Sequence, residues 1–442
     1  MRKDTIMKLT LSSIGTSTPC ECGRVHSASL ARIEIGAGVI EKLPEIAAAY
    51  GKKPYILDDP DTHAAAGERV SALLADFAPV CHTLPHRHPE PDEATVGSAM
   101  LHFDHACDMV IAVGSGVVGD TAKIVARTAK IPLITVATAP SMDGYASATS
   151  SMTRDGLKVT IDSCCPRAIV ADTDIVRLAP AKMLAAGVGD MAAKYTALCE
   201  WRISHLVTGE FYCEAVVDAV REAVGEVVKS AAGLAKREPA AVEAVMRGLI
   251  LSGVAMTWAG LSRPASGTEH SISHIWDMRA GAFGTPMELH GIQCGIGTRM
   301  VIRICRRLRE FTPDKAAALA HAKAFDRAAH LDFLREFMGS ASAAMVAGEL
   351  RDDKYAPEKH AARLDIILEK WPEIVRAMDE ELPTLEALTA AMQAVGAPLT
   401  LEEIGLSDRL CDTIRATRDI RDKYILSRLI WDLGLTEEDV LA

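Results

Sequence analysis

The chain has 442 residues, a formal net charge of −11, and a composition that is 49% hydrophobic, 24% charged and only 5% aromatic. Those proportions belong to a folded globular enzyme of two or three domains and exclude disordered and fibrous classes. The acidic balance excludes a binder of nucleic-acid backbone, while leaving room for a small anionic substrate held by a few local cations.

The N-terminus opens with Arg2 and Lys3, but LTLSSIGTS at 9–17 is too polar for a secretory leader. Eleven scattered cysteines, an odd number, read as reduced thiols and place the protein in the cytoplasm. Cys20, Cys22 and His26 in CECGRVH carry donors that suit zinc, yet a CxC without a fourth ligand reads as a turn shaped by Gly23. Strands are then expected at 27–35, 53–57, 80–84, 108–113 and 132–137, alternating with helices at 39–50, 64–77 and 92–107. Short, continuously apolar strands between helices predict a parallel sheet covered on both faces.

From about Pro180 the pattern becomes long Ala- and Leu-rich helix, punctuated by Pro239, Pro264, Pro286, Pro313, Pro383 and Pro398. No uncharged stretch is longer than 248–262, which is closed by Arg247 and Arg263 and is shorter than the ~20 residues a membrane span needs, so it reads as a core helix. The expected architecture is an α/β nucleotide-binding domain over 1–179 and an all-helical domain over 180–442, with the active site in the cleft between them.

Gly114, Gly116 and Gly119 follow an expected strand and open an expected helix. This placement lets backbone N–H groups and a helix N-terminus meet a pyrophosphate. The usual acid at the end of the next strand is missing, because that strand ends in Thr138, Ala139 and Pro140. Asp58 and Asp59 end an earlier strand instead, so a ribose would lie near Asp58 in a rearranged order of elements. In the helical part, Asp190 and Lys194 are four apart, as are His270 and His274, and His290 lies in a third segment. One carboxylate and two imidazoles, Asp190, His270 and His290, make a catalytic divalent-metal set with an open position. His63, His86, His88, His321, His330 and His360 lack such company and read as surface residues.

Five segments fall in order: GSGVVGDTAK at 114–123, TAPSMDGYAS at 138–147, GVGDMAAKYTA at 187–197, RPASGTEHSISH at 263–274 and LHGIQCGIGT at 289–298. Together they resemble the sn-glycerol-1-phosphate dehydrogenase branch of the iron-containing alcohol dehydrogenase and dehydroquinate synthase superfamily, from about residue 26 onward. The resemblance implies a Rossmann-like α/β domain followed by a helical one, with Asp190, His270 and His290 as metal ligands. It implies that Gly114, Gly116, Gly119, Asp120, Thr138, Ser141, Ser147 and Lys158 lie on the cofactor side. It further implies that Asp143 and His274 serve substrate and catalysis, with Lys194 alongside, and that Arg263 holds an anionic substrate group. The implied cofactors are NAD(H) or NADP(H) and one divalent ion, Zn²⁺ before Ni²⁺ or Fe²⁺.

The expected reaction is reversible reduction of dihydroxyacetone phosphate to sn-glycerol 1-phosphate, in a cytoplasmic homo-oligomer without nucleic-acid partners or membrane insertion. Two rivals are a sugar-phosphate cyclase of the dehydroquinate synthase type and a glycerol or polyol dehydrogenase. The cyclase is disfavoured by the PSMDGY turn and by aspartate rather than glutamate at 190; the polyol enzyme is disfavoured by Arg263 and the nearby lysines. The 314–382 region, with RDDKYAPEKH, carries no motif and reads as helical scaffold with a solvated face.

Overall fold

A computed structural model describes residues 9–87, 89–154, 157–406 and 409–441, which divide into two compact units. The first unit holds the chain up to Met191, then Glu214–Ser262 and Ala394–Ala397; the second holds Ala192–Cys213, Arg263–Gln393 and Pro398–Ala442. The compact units therefore divide at Met191, not at 179/180, and two long helices return to the α/β unit. Periodicity alone could not show this, because a helix packed beside a sheet and a helix in a bundle carry the same 3.6-residue stripe.

The first unit contains strands β1 (Thr18–Pro19), β2 (Val25–His26), β3 (Arg32–Gly36), β4 (Pro54–Asp58), β5 (Val80–Thr83), β6 (Met109–Gly114), β7 (Leu133–Ala137), β8 (Thr149–Arg154), β9 (Leu157–Asp162) and β10 (Ala168–Asp172). Six of them form one parallel sheet in the order β3-β10-β7-β6-β4-β5, while β1–β2 and β8–β9 are antiparallel hairpins. The alternation along each strand divides the core between the two faces. Ile56, Met109, Ile111 and Val113 pack with Ala66, Val70 and Leu74 on one face; Tyr55, Leu57, Val110 and Ala112 pack with Val118, Ala122 and Val125 on the other.

Strands β4, β5, β6 and β7 lie within a residue or two of their expected positions, but the strand expected at 27–35 is only Arg32–Gly36. The helix expected at 39–50 is a 3₁₀ turn, Val39–Lys42, followed by Leu43–Ala48 with Pro44 in its first turn. The β8–β9 hairpin and β10 went unread: β8 is polar on both faces apart from Met152, the apolar–polar alternation of β9 (LKVTID) is a strand signal that was missed, and β10 is a short apolar run of ambiguous period.

The helices that matter for the site are α1 (Gly116–Ala129), α2 (Ala181–Thr208), α3 (Glu214–Ala235), α4 (Pro239–Ala259), α5 (Thr268–Phe283) and α6 (His290–Arg309). By length and composition α4 could cross a membrane, but 61% of its most apolar window is buried within the fold, where it packs on α3. It is a core helix, as expected from 248–262. In the second unit α5 packs against α6.

Two of the histidines expected at the surface are buried there. His330 pairs through Nε2 with Asp419 Oδ2 at 2.8 Å, and His360 Nε2 lies 2.9 Å from the Asp432 carbonyl. The 314–382 region is thus more than scaffold with a wet face: Tyr355 bonds Asp419, and Arg363 forks onto Asp432. Isolated histidines give no periodic signal that separates a satisfied core imidazole from an exposed one. His88 lies outside the described residues.

Candidate active site

The sheet order creates a switch point in the first unit. From β4 the chain leaves through 60–77 on one face to reach β5; from β6 it leaves through α1 on the opposite face to reach β7. Connections that diverge from neighbouring strands leave a crevice at the strands' carboxyl ends. Asp58 ends β4 and Gly114 ends β6, so the candidate ribose acid and the glycine loop sit at that crevice on adjacent strands. The N-cap of α1, Ser115, makes no side-chain capping bond, so the helix's first N–H groups are left for a ligand.

Asp58 is buried and accepts from His63 Nδ1 at 2.8 Å through Oδ2, while its Oδ1 is buried with no hydrogen-bond partner among the described residues. An orphaned buried carboxylate oxygen at a crevice is a ready acceptor for a hydroxyl. His63 is the partner that sequence reasoning missed. A Cβ on Gly67 would lie 2.3 Å from Asp58 Oδ2 and 2.8 Å from His63 Nδ1, so glycine there makes room for the pair.

The turn after β7 is braced from within. The buried Lys123 ammonium donates to Gly144 O (2.6 Å), Ser147 Oγ (3.0 Å), Thr149 O (3.1 Å) and Asp120 Oδ1 (3.2 Å). Asp120 also accepts from Ser151 N, and the single Ser147 hydroxyl hydrogen has Thr149 O (2.9 Å) and Gly144 O (3.1 Å) as its acceptors. Asp120 and Ser147, expected at the cofactor, therefore have their polar atoms bound into this brace, with Lys123 at its hub. The GDxAK spacing, which puts Asp120 and Lys123 on one helix face, was the signal for it. Thr138 and Ser141 are buried along the turn, and Lys158 is half-buried on β9, opposite Thr153.

The same turn meets α2. Asp143 N donates to Asp190 Oδ2 at 2.9 Å, and Asp143 Oδ2 accepts from Ser252 Oγ of α4 at 2.8 Å. Asp190 is fully buried. The approach depends on Gly187, where a Cβ would lie 1.9 Å from the Pro140 carbonyl oxygen. Backbone facing backbone cannot yield by a rotamer change. Gly187→Ala should therefore destabilise the fold by about 3 kcal/mol or more, at the top of the usual overpacking range. Chemical denaturation checks this; an unchanged midpoint would mean that α2 and the turn separate without penalty.

In the second unit the imidazoles sit on two packed helices. His270 is buried and lies one turn before half-buried His274 on α5; His290 opens α6. The His270 and His290 ring centroids are 5.0 Å apart, and those of His274 and His290 are 5.6 Å apart. His270 Nδ1 bonds Glu269 Oε1 at 2.9 Å; that buried carboxylate also accepts from Gly267 N and Thr196 Oγ1.

The tautomer of His290 follows from a chain of partners. The Asp277 carboxylate accepts from Gln293 Nε2, which turns the Gln293 carbonyl toward the Ser273 hydroxyl at 2.6 Å. Ser273 Oγ is then left to accept from His290 Nδ1 at 3.0 Å. Both imidazoles thus direct an unprotonated Nε2 outward, the arrangement that metal-ligating histidines require.

A third donor stands beside them. The buried Cys294 thiol, one turn beyond His290, lies 3.5 Å from His290 Nε2, and His270, His290 and Cys294 offer donor atoms all within 4.8 Å of one another. The i,i+4 spacing in HGIQC could have revealed Cys294.

Arg263 is not where the sequence put it. Its guanidinium is buried and occupied, by Nε to Glu210 Oε1 (2.9 Å), Nη1 to Tyr424 O (2.8 Å), and Nη2 to Ser204 Oγ (3.0 Å) and Glu210 Oε2 (2.6 Å). A cation this fully bonded is a structural clamp rather than a receptor for a substrate anion. Lys194 is fully buried on α2. Sequence reasoning also passed over Lys423, whose ammonium bonds Ser266 Oγ at 3.1 Å; burial, with Arg421 and Arg263 nearby, pulls it down to about 7.

Comparison with known proteins gives this geometry a context. Residues 34–180 match the model of the iron-containing alcohol dehydrogenase family. The glycerol-1-phosphate dehydrogenase [NAD(P)+] of Bacillus licheniformis is 30% identical over 424 residues, covering 94% of this chain and 92% of that protein. The enzyme of the same name from Thermococcus sibiricus is 35% identical over 62% of this chain and 77% of its own length. Among solved structures, sulfoacetaldehyde reductase from Bifidobacterium kashiwanohense in complex with NAD+ superposes with a TM-score of 0.60 at 16% identity, over 94% of this chain and 98% of that one. That likeness speaks for the fold alone. With sequence identity sustained along almost the whole chain, this protein belongs to the glycerol-1-phosphate dehydrogenase branch of the iron-containing alcohol dehydrogenase family.

Proposed function

We propose that this chain is an NAD(P)H-dependent oxidoreductase that interconverts dihydroxyacetone phosphate and sn-glycerol 1-phosphate, with one divalent ion held by Asp190, His270 and His290. The observation that carries the reading is the 30% identity over 94% of the chain to a relative of that name. Support for the ion comes from two imidazoles whose tautomers are fixed for ligation and from a buried carboxylate behind His270. Borderline-soft donors, with Cys294 at hand, favour zinc or nickel over magnesium or calcium.

When bound, such an ion supplies Lewis-acid polarisation of the ketone oxygen and the reduced nicotinamide supplies the hydride. The chain's own part is placement. The 114–119 loop and the α1 N-terminus bind the pyrophosphate, and Asp58 Oδ1 accepts a ribose hydroxyl. The Lys123-braced turn, with Thr138 and Ser141, orients the nicotinamide end, and Asp143 is held rigid by Ser252. His274 delivers the proton, directly or through a water. With Arg263 bound elsewhere, the phosphate falls to Lys158 and Lys194. Eleven cysteines present as thiols are consistent with action in the cytoplasm.

Gly67→Ala should displace the Asp58 carboxylate and raise KM for the nucleotide about tenfold, one lost polar contact, while kcat changes little. An unchanged KM would remove Asp58 from the ribose site. The function itself is tested with purified protein reloaded with Zn²⁺ or Ni²⁺, given NADH or NADPH and dihydroxyacetone phosphate. Stoichiometric nicotinamide oxidation and the sn-1 product on chiral analysis are expected. No oxidation under any metal condition overturns the reading, and turnover of unphosphorylated glycerol in preference to its phosphate favours the polyol alternative.

A further inference from the structure

The N-terminal hairpin of the first unit brings together three soft donors that the catalytic proposal does not use. β1 and β2 pair Thr18 with His26 and Pro19 with Val25, and the loop between them closes through Cys20 N to Arg24 O (3.0 Å) and Gly23 N to Cys20 O (3.1 Å). Gly23 has φ +82°, a conformation L side chains rarely adopt, so glycine after the second cysteine permits the tight turn. The result folds the CxC back over the second strand. The donor atoms of Cys20, Cys22 and His26 all lie within 4.8 Å of one another, and Cys22 Sγ is 3.4 Å from His26 Nε2. A tetrahedral zinc, with Zn–S about 2.3 Å and Zn–N about 2.0 Å, sets a sulfur and a nitrogen ligand about 3.5 Å apart.

The imidazole is prepared for that role. His26 is 1% exposed, and its Nδ1 lies 2.9 Å from the carbonyl of Trp258. A carbonyl only accepts, so Nδ1 carries the proton and Nε2 presents its lone pair toward the cysteines. Arg24 Nη1 donates to the next carbonyl, Ala259 O, at 3.0 Å. Both carbonyls belong to the last turn of α4, where helix geometry leaves them without intrahelical partners. The hairpin therefore caps α4, and whatever fixes His26 fixes that cap.

We infer that Cys20, Cys22 and His26 bind a divalent soft metal, zinc in the cell, at a structural site separate from the catalytic ion. The two thiols ligate as thiolates and release their protons to solvent, and a further donor or water completes the tetrahedron. The site ties the N-terminal hairpin to the end of α4. The three donors that read as a bare turn in sequence converge because β1 and β2 pair in this register.

The test uses the whole protein under reducing conditions. After metal removal and reloading with Zn²⁺, each cysteine's alkylation is followed by peptide mass spectrometry, with exposed Cys81 as the internal standard. Cys20 and Cys22 should alkylate at least tenfold more slowly with zinc than without, while Cys81 is unchanged; equal rates overturn the proposal. This readout on the unaltered chain does not depend on activity, so it separates failure of this site from failure of the catalytic reading. As a second readout, the Co²⁺-loaded protein should show near-ultraviolet thiolate-to-cobalt charge transfer that the double variant Cys20→Ser/Cys22→Ser abolishes and Cys294→Ser retains. Persistence of the band in the double variant, or its loss in Cys294→Ser alone, assigns the thiolate to the other site and overturns the proposal.

Discussion

Asp190→Asn is expected to abolish metal retention at the catalytic site and to lower kcat/KM by about 10³, with the fold intact. The rate follows from losing Lewis-acid stabilisation worth several kcal/mol at 1.36 kcal/mol per tenfold. The fold should survive because the bond from Asp143 N to Asp190 Oδ2 needs only an acceptor, which the asparagine carbonyl supplies. What asparagine removes is a negative charge beside a cation. Metal content by mass spectrometry, thermal denaturation and steady-state kinetics together check the result. Normal metal content and normal turnover would take Asp190 out of the ligand set. Normal metal content with slow turnover would instead make it a residue that orients the 138–147 turn.

That second possibility arises because Asp190 has two connections of different kinds. Its partner Asp143 belongs to the turn braced by Lys123 and clamped by Ser252, and Gly187, one turn earlier on α2, allows the backbone approach. A carboxylate held this way is preorganised for the ligand role proposed for it, and movement of the turn is communicated to it.

What could be read from sequence divides along physical lines. The central strands were legible because 109–114 and 133–137 are apolar on both faces and bounded by turn residues. The crevice was legible in outline because glycines after a strand and an acid after another strand mark backbone that must approach a ligand. Partners distant in sequence were not legible. Arg263 has the charge for a substrate anion, and only the fold shows Glu210, Ser204 and Tyr424 occupying it. Cys20, Cys22 and His26 read as a bare turn in sequence, and only the hairpin register shows their donor atoms converging. His330 and His360 are chemically identical to surface histidines until Asp419 and Asp432 are seen beside them. In each case the deciding quantity is the satisfaction of a buried polar group, which a one-dimensional pattern does not carry.

Glu269→Gln should weaken the catalytic metal 10- to 100-fold while leaving the fold largely in place, the usual effect of altering a carboxylate behind a ligand histidine. Glu269 is fully buried, and Gly297 on α6 lies so close that a Cβ there would be 3.0 Å from the Glu269 carbonyl oxygen. The α5 backbone at Glu269 is thus held close against α6. Burial opposes its charge, but the His270 imidazole, the Gly267 N–H and the Thr196 hydroxyl outweigh it and hold the carboxyl below its usual range. A negative charge there raises the basicity of His270 Nε2. Its neighbour Glu200 is pushed up to about 7 by burial and by that same charge. Glutamine keeps an acceptor for the Nδ1 proton and so preserves the tautomer, but it removes the charge. Weaker metal binding with unchanged stability would show the electrostatic contribution directly. Glu269→Ala should lose both, because it strands two buried donors, Gly267 N and His270 Nδ1, at about 1–3 kcal/mol each, while the Thr196 hydroxyl keeps Ala193 O. If the glutamine variant binds zinc as tightly as the parent in competition with a chelator, Glu269 serves the packing of α5 alone and the second imidazole, fixed through Ser273 and Gln293, must carry the orientation of the site.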